Sequence, residues 1–224
     1  MVKIEKKLKI KKNNKLSKYN TYKDIFVFKN NFNKSIIKYV EIIKKYKILI
    51  FSSSKTLKYC IKDFYENIDD NENNTNLIDY NNNYTNYLFY NNYGEFNQPL
   101  KNSLNNLINL EQISFGTVYN KPLLKSLDNL INLKKLVLKY EFNQPFKNSL
   151  NNLINLKKIT FNKEFNQQLF LPSNINILSL ISNNNINLIE NIPNTINELI
   201  LEFDNFKLYS LPNSIKKITL NNIK

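Results

Sequence analysis

Glu95 to Phe115 reads EFNQPLKNSLNNLINLEQISF, and Glu141 to Phe161 reads EFNQPFKNSLNNLINLKKITF, forty-six residues further on. Over the first sixteen positions the two differ only at Leu100 against Phe146. A looser copy, VYNKPLLKSLDNLINLKKLVL, runs from Val118 to Leu138 between them, so forty-six is two steps of twenty-three. Self-similarity at a period of about 20–50 residues is the signature of solenoids and arrays, because each unit buries its apolar face only against its neighbours.

The register continues toward residue 224 in altered form. Phe96, Tyr119, Phe142 and Phe165 stand twenty-three apart, and Ile186 and Phe206 follow at twenty-one and twenty. Each position leads past a corner into an alternating apolar pair: Ile113 and Phe115, Leu136 and Leu138, Ile159 and Phe161, Leu178 and Leu180, Leu199 and Leu201, Ile218 and Leu220. Alternation of this kind predicts six strands, with Leu88 and Tyr90 as a seventh ahead of them. All six prolines lie in the same region. Pro99, Pro122 and Pro145 close FNQP-type corners, whereas Pro172, Pro193 and Pro212 open LPS, IPN and LPN corners. Proline lacks a backbone donor and fixes φ, so it belongs at the corners of a coil and not within its strands. In the first three units the spacing of Leu100, Leu104 and Leu107, and its repeats, predicts a helical turn on the convex side. The later, shorter units have room only for a tighter turn.

Phe-Asn-Gln-Pro-Leu at Phe96 to Leu100 and Leu-Pro-Asn-Ser-Ile-Lys-Lys-Ile-Thr-Leu at Leu211 to Leu220 resemble the FNIP repeat. That repeat is a leucine-rich-repeat-like unit of social amoebae and their giant viruses. The resemblance covers residues 86 to 224 and implies a β-rich α/β solenoid, a stack of parallel strands in about six repeats of 19–23 residues. It also implies a protein-interaction role. Gln168 stands where a fourth FNQP would have proline, and only Gly116 keeps the glycine that the family often places after the strand. Many relatives carry an F-box ahead of the repeats, which would connect them to a ubiquitin ligase. An F-box opens on a Leu-Pro pair, and no proline precedes Pro99, so the resemblance stops short of it. A ligase substrate adaptor with a degenerate F-box is therefore an alternative reading only.

Composition sets a bland explanation beside every cluster. The 224 residues include 45 Asn and 32 Lys but no Arg, His or Trp, a pattern that codon bias in an AT-rich genome produces. The net charge of +14 is uneven. Residues 1–62 carry 18 Lys against Glu5, Asp24 and Glu41, residues 63–95 carry seven acids and no Lys, and residues 96–224 sum to +6. One cysteine, Cys60, precludes an internal disulfide framework and fits a reducing compartment. No run of about 18 apolar residues predicts a membrane span. The expected location is the cytoplasm, the host's if the source is viral, or the nucleus, and the expected state is a monomer.

Residues 1–24 read as a basic, disordered arm, in which Val2, Ile4, Leu8 and Ile10 alternate with lysines and could alternatively form an edge strand. Residues 1–23 could bind nucleic acid or an anionic membrane weakly; a solvated tail accounts for the same composition. Residues 25–85 read as an α-rich cap followed by an acidic Asn- and Tyr-rich linker, and 86–224 as the solenoid. In the cap, Phe32, Ile36, Val40 and Ile43 share a helix face, Lys47 to Phe51 is strand-like, and Ser53 or Ser54 caps a second helix through Ile68. A cap is needed because the open end of a solenoid exposes both core and strand edge. Asp69, Asn71 and Asn73 match the start of a calcium loop, but Asn74 and Tyr80 stand where Gly and Glu are required.

Catalysis is disfavoured by residue types. Without His there is no Ser-His-Asp or Cys-His set, and Gly94 and Gly116 alone allow no phosphate-binding loop. No metal or other cofactor is expected. The aligned Asn97, Asn120, Asn143, Asn166 and Asn187 predict a structural amide ladder between units. Strand alternation turns one set of side chains to the inner curve, where a protein partner of unknown identity would touch them. These are Lys135, Val137 and Lys139; Lys158, Thr160 and Asn162; Ile177, Ser179 and Ile181; Glu198, Ile200 and Glu202; and Lys217. Gln112, Ser114 and Gly116 begin the row, and Thr219 and Asn221 end it.

Overall fold

The computed structural model describes residues 18–51, 94–181, 188, 191–202 and 211–220. Each of the six expected apolar pairs lies in or directly beside a strand, and all the strands join one sheet. In chain order they are β1 Tyr19–Tyr22, β2 Ile25–Phe28, β3 Ile48–Phe51, β4 Gln112–Ser114, β5 Lys135–Val137, β6 Lys158–Phe161, β7 Ile177–Ile181, β8 Glu198–Glu202 and β9 Lys217–Leu220. Spatial order follows chain order, and every pairing from β2 to β9 is parallel. The molecule is thus a leucine-rich-repeat-like β-solenoid of about six turns.

The repeat length becomes strand register directly. Gln112 pairs with Lys135 and Lys135 with Lys158, the twenty-three-residue step of the sequence. In the shorter units Lys158 pairs with Ile177 and Ile177 with Glu198, so the strand stays aligned while the back contracts. The contraction is visible in the turns. Ser103 N donates to Leu100 O, Leu107 N to Leu104 O and Leu110 N to Leu107 O, at 2.9, 2.9 and 3.0 Å, and the next two units repeat the pattern. These are successive three-residue turns and not the α-helical turn that leucine spacing predicts, because a unit this short must reverse within about twelve residues. The proline-opened units keep one such turn, Ile175 N to Pro172 O at 3.1 Å, echoed by Ile196 to Pro193 and Ile215 to Pro212.

The FNQP-type corners share a backbone device. Lys101, Leu124 and Lys147, each two residues past its proline, adopt positive φ of 49°, 43° and 30°. Phe170, the matching position after Gln168, does not, so the loss of that proline accompanies a different corner. Inside the coil one apolar cluster runs from Phe26 to Leu201. Its spine is aromatic: Phe96, Tyr119, Phe142 and Phe165 stack in order with centroid separations of 5.7, 6.2 and 6.2 Å. Phe115 and Phe161 stack on the same spine at 4.2 and 4.0 Å.

At the leading end, the span expected to be an α-rich cap is described only as far as residue 51. Among described residues, 25–51 contribute two parallel strands to the sheet, and helix is confined to a 3₁₀ turn, Ile36–Tyr39, running into one α-helical turn, α1, Val40–Ile43. The expected face is correct, since Phe32, Ile36, Val40 and Ile43 are all in the core. What shortens the helix is the demand of β3, which begins at Ile48 beside β2. β1 also falls inside the span expected to be a disordered arm, held by antiparallel pairing to β2 and by stacking of Tyr19 on Phe26 at 4.5 Å. β4 has β3 and β5 as its two neighbours, so the place expected for a Leu88 and Tyr90 strand is taken by β3. Residues 1–17, the second cap helix and the linker lie outside the described residues. At the other end Ile218 and Leu220 hold core register yet are 45 and 56 % exposed, since among the described residues no strand follows β9.

Candidate functional site

The sheet has two faces, and the repeat assigns them different chemistry. Ile113, Leu136, Ile159, Leu178 and Leu199 are aligned neighbours in the core and stay aliphatic throughout. On the inner face the aligned side chains change from strand to strand. One outer row reads Gln112, Lys135, Lys158, Ile177, Glu198, Lys217, and each residue pairs in register with the next. The middle row reads Ser114, Val137, Thr160, Ser179, Ile200, Thr219 by the same pairings. Lys139, Asn162, Ile181 and Glu202 continue a third row at the far ends of the strands.

Accessibility divides these rows. The sequence expectation is that all of them are open to a partner, and the leading part of the middle row is not: Val137, Thr160 and Ser179 are 6, 4 and 4 % exposed. Each is a short side chain flanked on the same face of its chain segment by longer ones, Lys135 and Lys139, Lys158 and Asn162, Ile177 and Ile181. Asn162, expected outside, is also buried, its Oδ1 accepting from Lys163 N at 2.7 Å across the corner. Lys135, Lys139, Lys158, Ile177, Ile181, Glu198 and Ile200 are half-buried, and Lys217 is exposed. Glu198 holds Lys217 at 2.8 Å, so one acid and one base of this row are already paired.

A charged column at the strand entrances has no counterpart among the expected residues. Glu111 lies between Lys47 at 3.1 Å and Lys134 at 2.7 Å, linking the starts of β3, β4 and β5. Hydrogen bonds from Lys134 and then Lys47 hold its carboxyl below the usual range, and Glu111 in turn raises the Lys47 ammonium. The signal was present in the sequence, since Glu111 occupies the repeat position filled by Lys134 and Lys157 in the next two units.

The predicted amide ladder exists from Asn97 to Asn166, and its expected last member, Asn187, lies outside the described residues. Asn97 Oδ1 accepts from Asn120 N, Asn120 Oδ1 from Asn143 N and Asn143 Oδ1 from Asn166 N, at 3.0, 3.0 and 3.1 Å. It starts earlier than the repeats, because Asn33 Oδ1 accepts from Asn97 N at 3.1 Å. A second ladder was missed. Asn109, Asn132 and Asn155 each donate through Nδ2 to a carbonyl of the preceding layer, those of Lys44, Ile108 and Ile131, at 3.2, 2.9 and 2.8 Å. Both ladders spend their amides between layers, away from the varied side chains of the inner face. Of the aligned carboxylates, Glu141 sits near Glu164, and burial together with that like charge raises its pKa.

Among the described residues no helix is long and apolar enough to cross a membrane. No family model matches the chain, and no curated protein matches it. Among solved structures it is similar to one titled as the crystal structure of CroV588, a novel circular LRR protein, at 23 % identity and a TM-score of 0.44. That alignment covers 92 % of this chain and 32 % of the other, so the chain spans about a third of that protein's length.

Proposed function

We propose that the chain is a non-catalytic protein-interaction module of the FNIP kind, binding a protein partner along the accessible flanks of its inner face. The observation that carries the reading is the contrast between faces. Core positions keep one residue class over six strands, while the inner row passes from Lys135 and Lys158 to Ile177, then to Glu198 and Lys217. Parallel strands about 4.8 Å apart set these groups side by side, so one partner can meet many of them at once. A mixed row with apolar members and both charges suits a protein surface better than a polyanion, which would favour a uniformly basic one.

The test is capture from lysate of the natural cell type at two salt concentrations, using the intact chain and paired variants. Lys135→Glu with Lys158→Glu, or Ile177→Asp with Ile200→Asp, should abolish capture while leaving the circular dichroism melt in place. Lys101→Glu with Lys147→Glu, on the exposed back, should leave capture unchanged. Release by the back pair alone would sink the reading, as would capture that vanishes at high salt in every variant.

A further inference from the structure

The exposed apolar side chains of the solenoid are not scattered. Among the described residues eight large ones are exposed; Ile218 and Leu220 belong to β9, and the other six fall into two rows on the back of the coil. One row is Ile108, Ile131 and Ile154. Asn132, which follows Ile131, donates to the Ile108 carbonyl at 2.9 Å, and Asn155, which follows Ile154, to that of Ile131 at 2.8 Å, so the amide ladder holds the three isoleucines in line. The other row is Ile37, Lys101, Leu124, Lys147 and Phe170, one residue from each of five turns. Its last four members stand twenty-three apart, and Ile37 precedes Lys101 by sixty-four, the offset that also joins Asn33 to Asn97 and Ile48 to Gln112. The six apolar members of the two rows are between 47 and 67 % exposed.

Neither row serves the core. Leu124 even holds a left-handed φ of 43° at a corner where Gly or Asn would cost less. Isolated exposed apolar residues are ordinary, whereas six in two aligned rows make a patch of the kind that an interaction covers. Charge identifies what covers it. Residues 36–45, 100–109, 123–132, 146–155 and 169–174, which form this side, carry six lysines against two carboxylates. Of those two, Glu41 is bound by Lys44 and Asp128 is half-buried.

We infer that the back of the coil docks on an anionic lipid surface, with Lys101, Lys147 and their neighbours among the headgroups and the apolar rows entering the interface beneath. A lipid surface presents negative charge and, just below it, an apolar medium that receives Ile, Leu and Phe without a shaped pocket. The ammonium of lysine is a point charge that needs no fixed partner geometry, which suits mobile headgroups. A nucleic acid would meet the lysines and leave the isoleucines in water. A second copy would set one basic face against another. Because the rows lie on the back, the inner-face reading stands or falls separately.

Flotation of the intact chain with phosphatidylcholine vesicles, with and without phosphatidylserine, tests it. Wild type should bind the anionic vesicles and bind the neutral ones far more weakly. Leu124→Asn with Ile131→Asn keeps the net charge, and asparagine tolerates the φ at 124, so the melt should hold while affinity falls by roughly tenfold or more. Lys101→Gln with Lys147→Gln should also cost roughly tenfold or more. Lys135→Gln with Lys158→Gln removes the same charge from the inner face and should bind as wild type does. If the Leu124 and Ile131 pair binds undiminished, or the inner-face pair weakens binding as much as the back pair, the attraction is charge alone and the inference is overturned. Failure of wild type to bind overturns it as well; release of a soluble protein from the lysate capture by the Leu124 and Ile131 pair would then give the rows to a protein instead.

Discussion

Phe142 shows what a repeat position is worth to a single residue. Its ring is buried between Tyr119 and Phe165 in the spine, so Phe142→Ala should cost about 3–5 kcal/mol in a urea melt. Lys157→Ala, at an exposed position of the same unit, should change little. Equal losses would mean that the register is wrong. Tyr119 takes the same place but carries a hydroxyl with no hydrogen-bond partner, and burial raises its pKa. Tyr119→Phe should therefore hold or raise stability, by up to about 1–3 kcal/mol. Glu141 supplies a pH-dependent case. Its carboxyl pKa is raised in the fold by burial and then by Glu164, so the ionised form is penalised near neutral pH. The penalty fades as pH falls through the carboxylate range, where folded and unfolded states are both protonated. Glu141→Gln should thus melt higher than wild type at pH 7, with the advantage gone by about pH 3–4. An advantage independent of pH would assign the effect to packing instead. The aromatic row was legible because it recurs every twenty-three residues. Asn162 was not: alternation places it outside, yet it is buried, its Oδ1 accepting from Lys163 N.

At the scale of elements, the layers are joined by side-chain amides as well as by strands. Asn143 Oδ1 accepts both Asn166 N at 3.1 Å and Gln167 Nε2 at 3.0 Å from the next unit. Asn143→Ala leaves both donors to find water or go unpaired, and should lower stability by about 1–2 kcal/mol with faster amide exchange at Asn166. Unchanged exchange there would show that the ladder is incidental. The six strands β4 to β9 could be read from the sequence because each sits at a fixed offset from a proline corner. β1 and β2 could not. The run IFVF in β2 is buried on both faces, and a short continuous apolar run carries no periodicity that separates strand from helix. Its partner β3 lies beyond α1, so nothing local announces the pairing. Helix spacing around Ile36 and Val40 was real, and among the described residues it marks one face of a very short helix.

For the whole molecule, the account rests on a linear stack in which period becomes register and register composes the inner face. The six core pairs make that stack, and the unlike residues between them make a surface whose parts are brought together only if the strands align as described. The core side of this arrangement was open to sequence reading. Burial of Val137, Thr160 and Ser179 was not, because it depends on surroundings beyond the strand itself, which no single strand encodes. The most direct measurement is disulfide formation between cysteines placed on adjacent strands in a Cys60→Ser background. Lys135→Cys with Lys158→Cys occupies a registered pair, about 4.8 Å apart and within bonding range, and should oxidise readily. Lys135→Cys with Asn162→Cys is offset by four residues, roughly 13 Å along the strand, and should not. Bridging of the registered pair alone is the predicted result; bridging of the offset pair, or of neither, would contradict the parallel register on which the inner face depends.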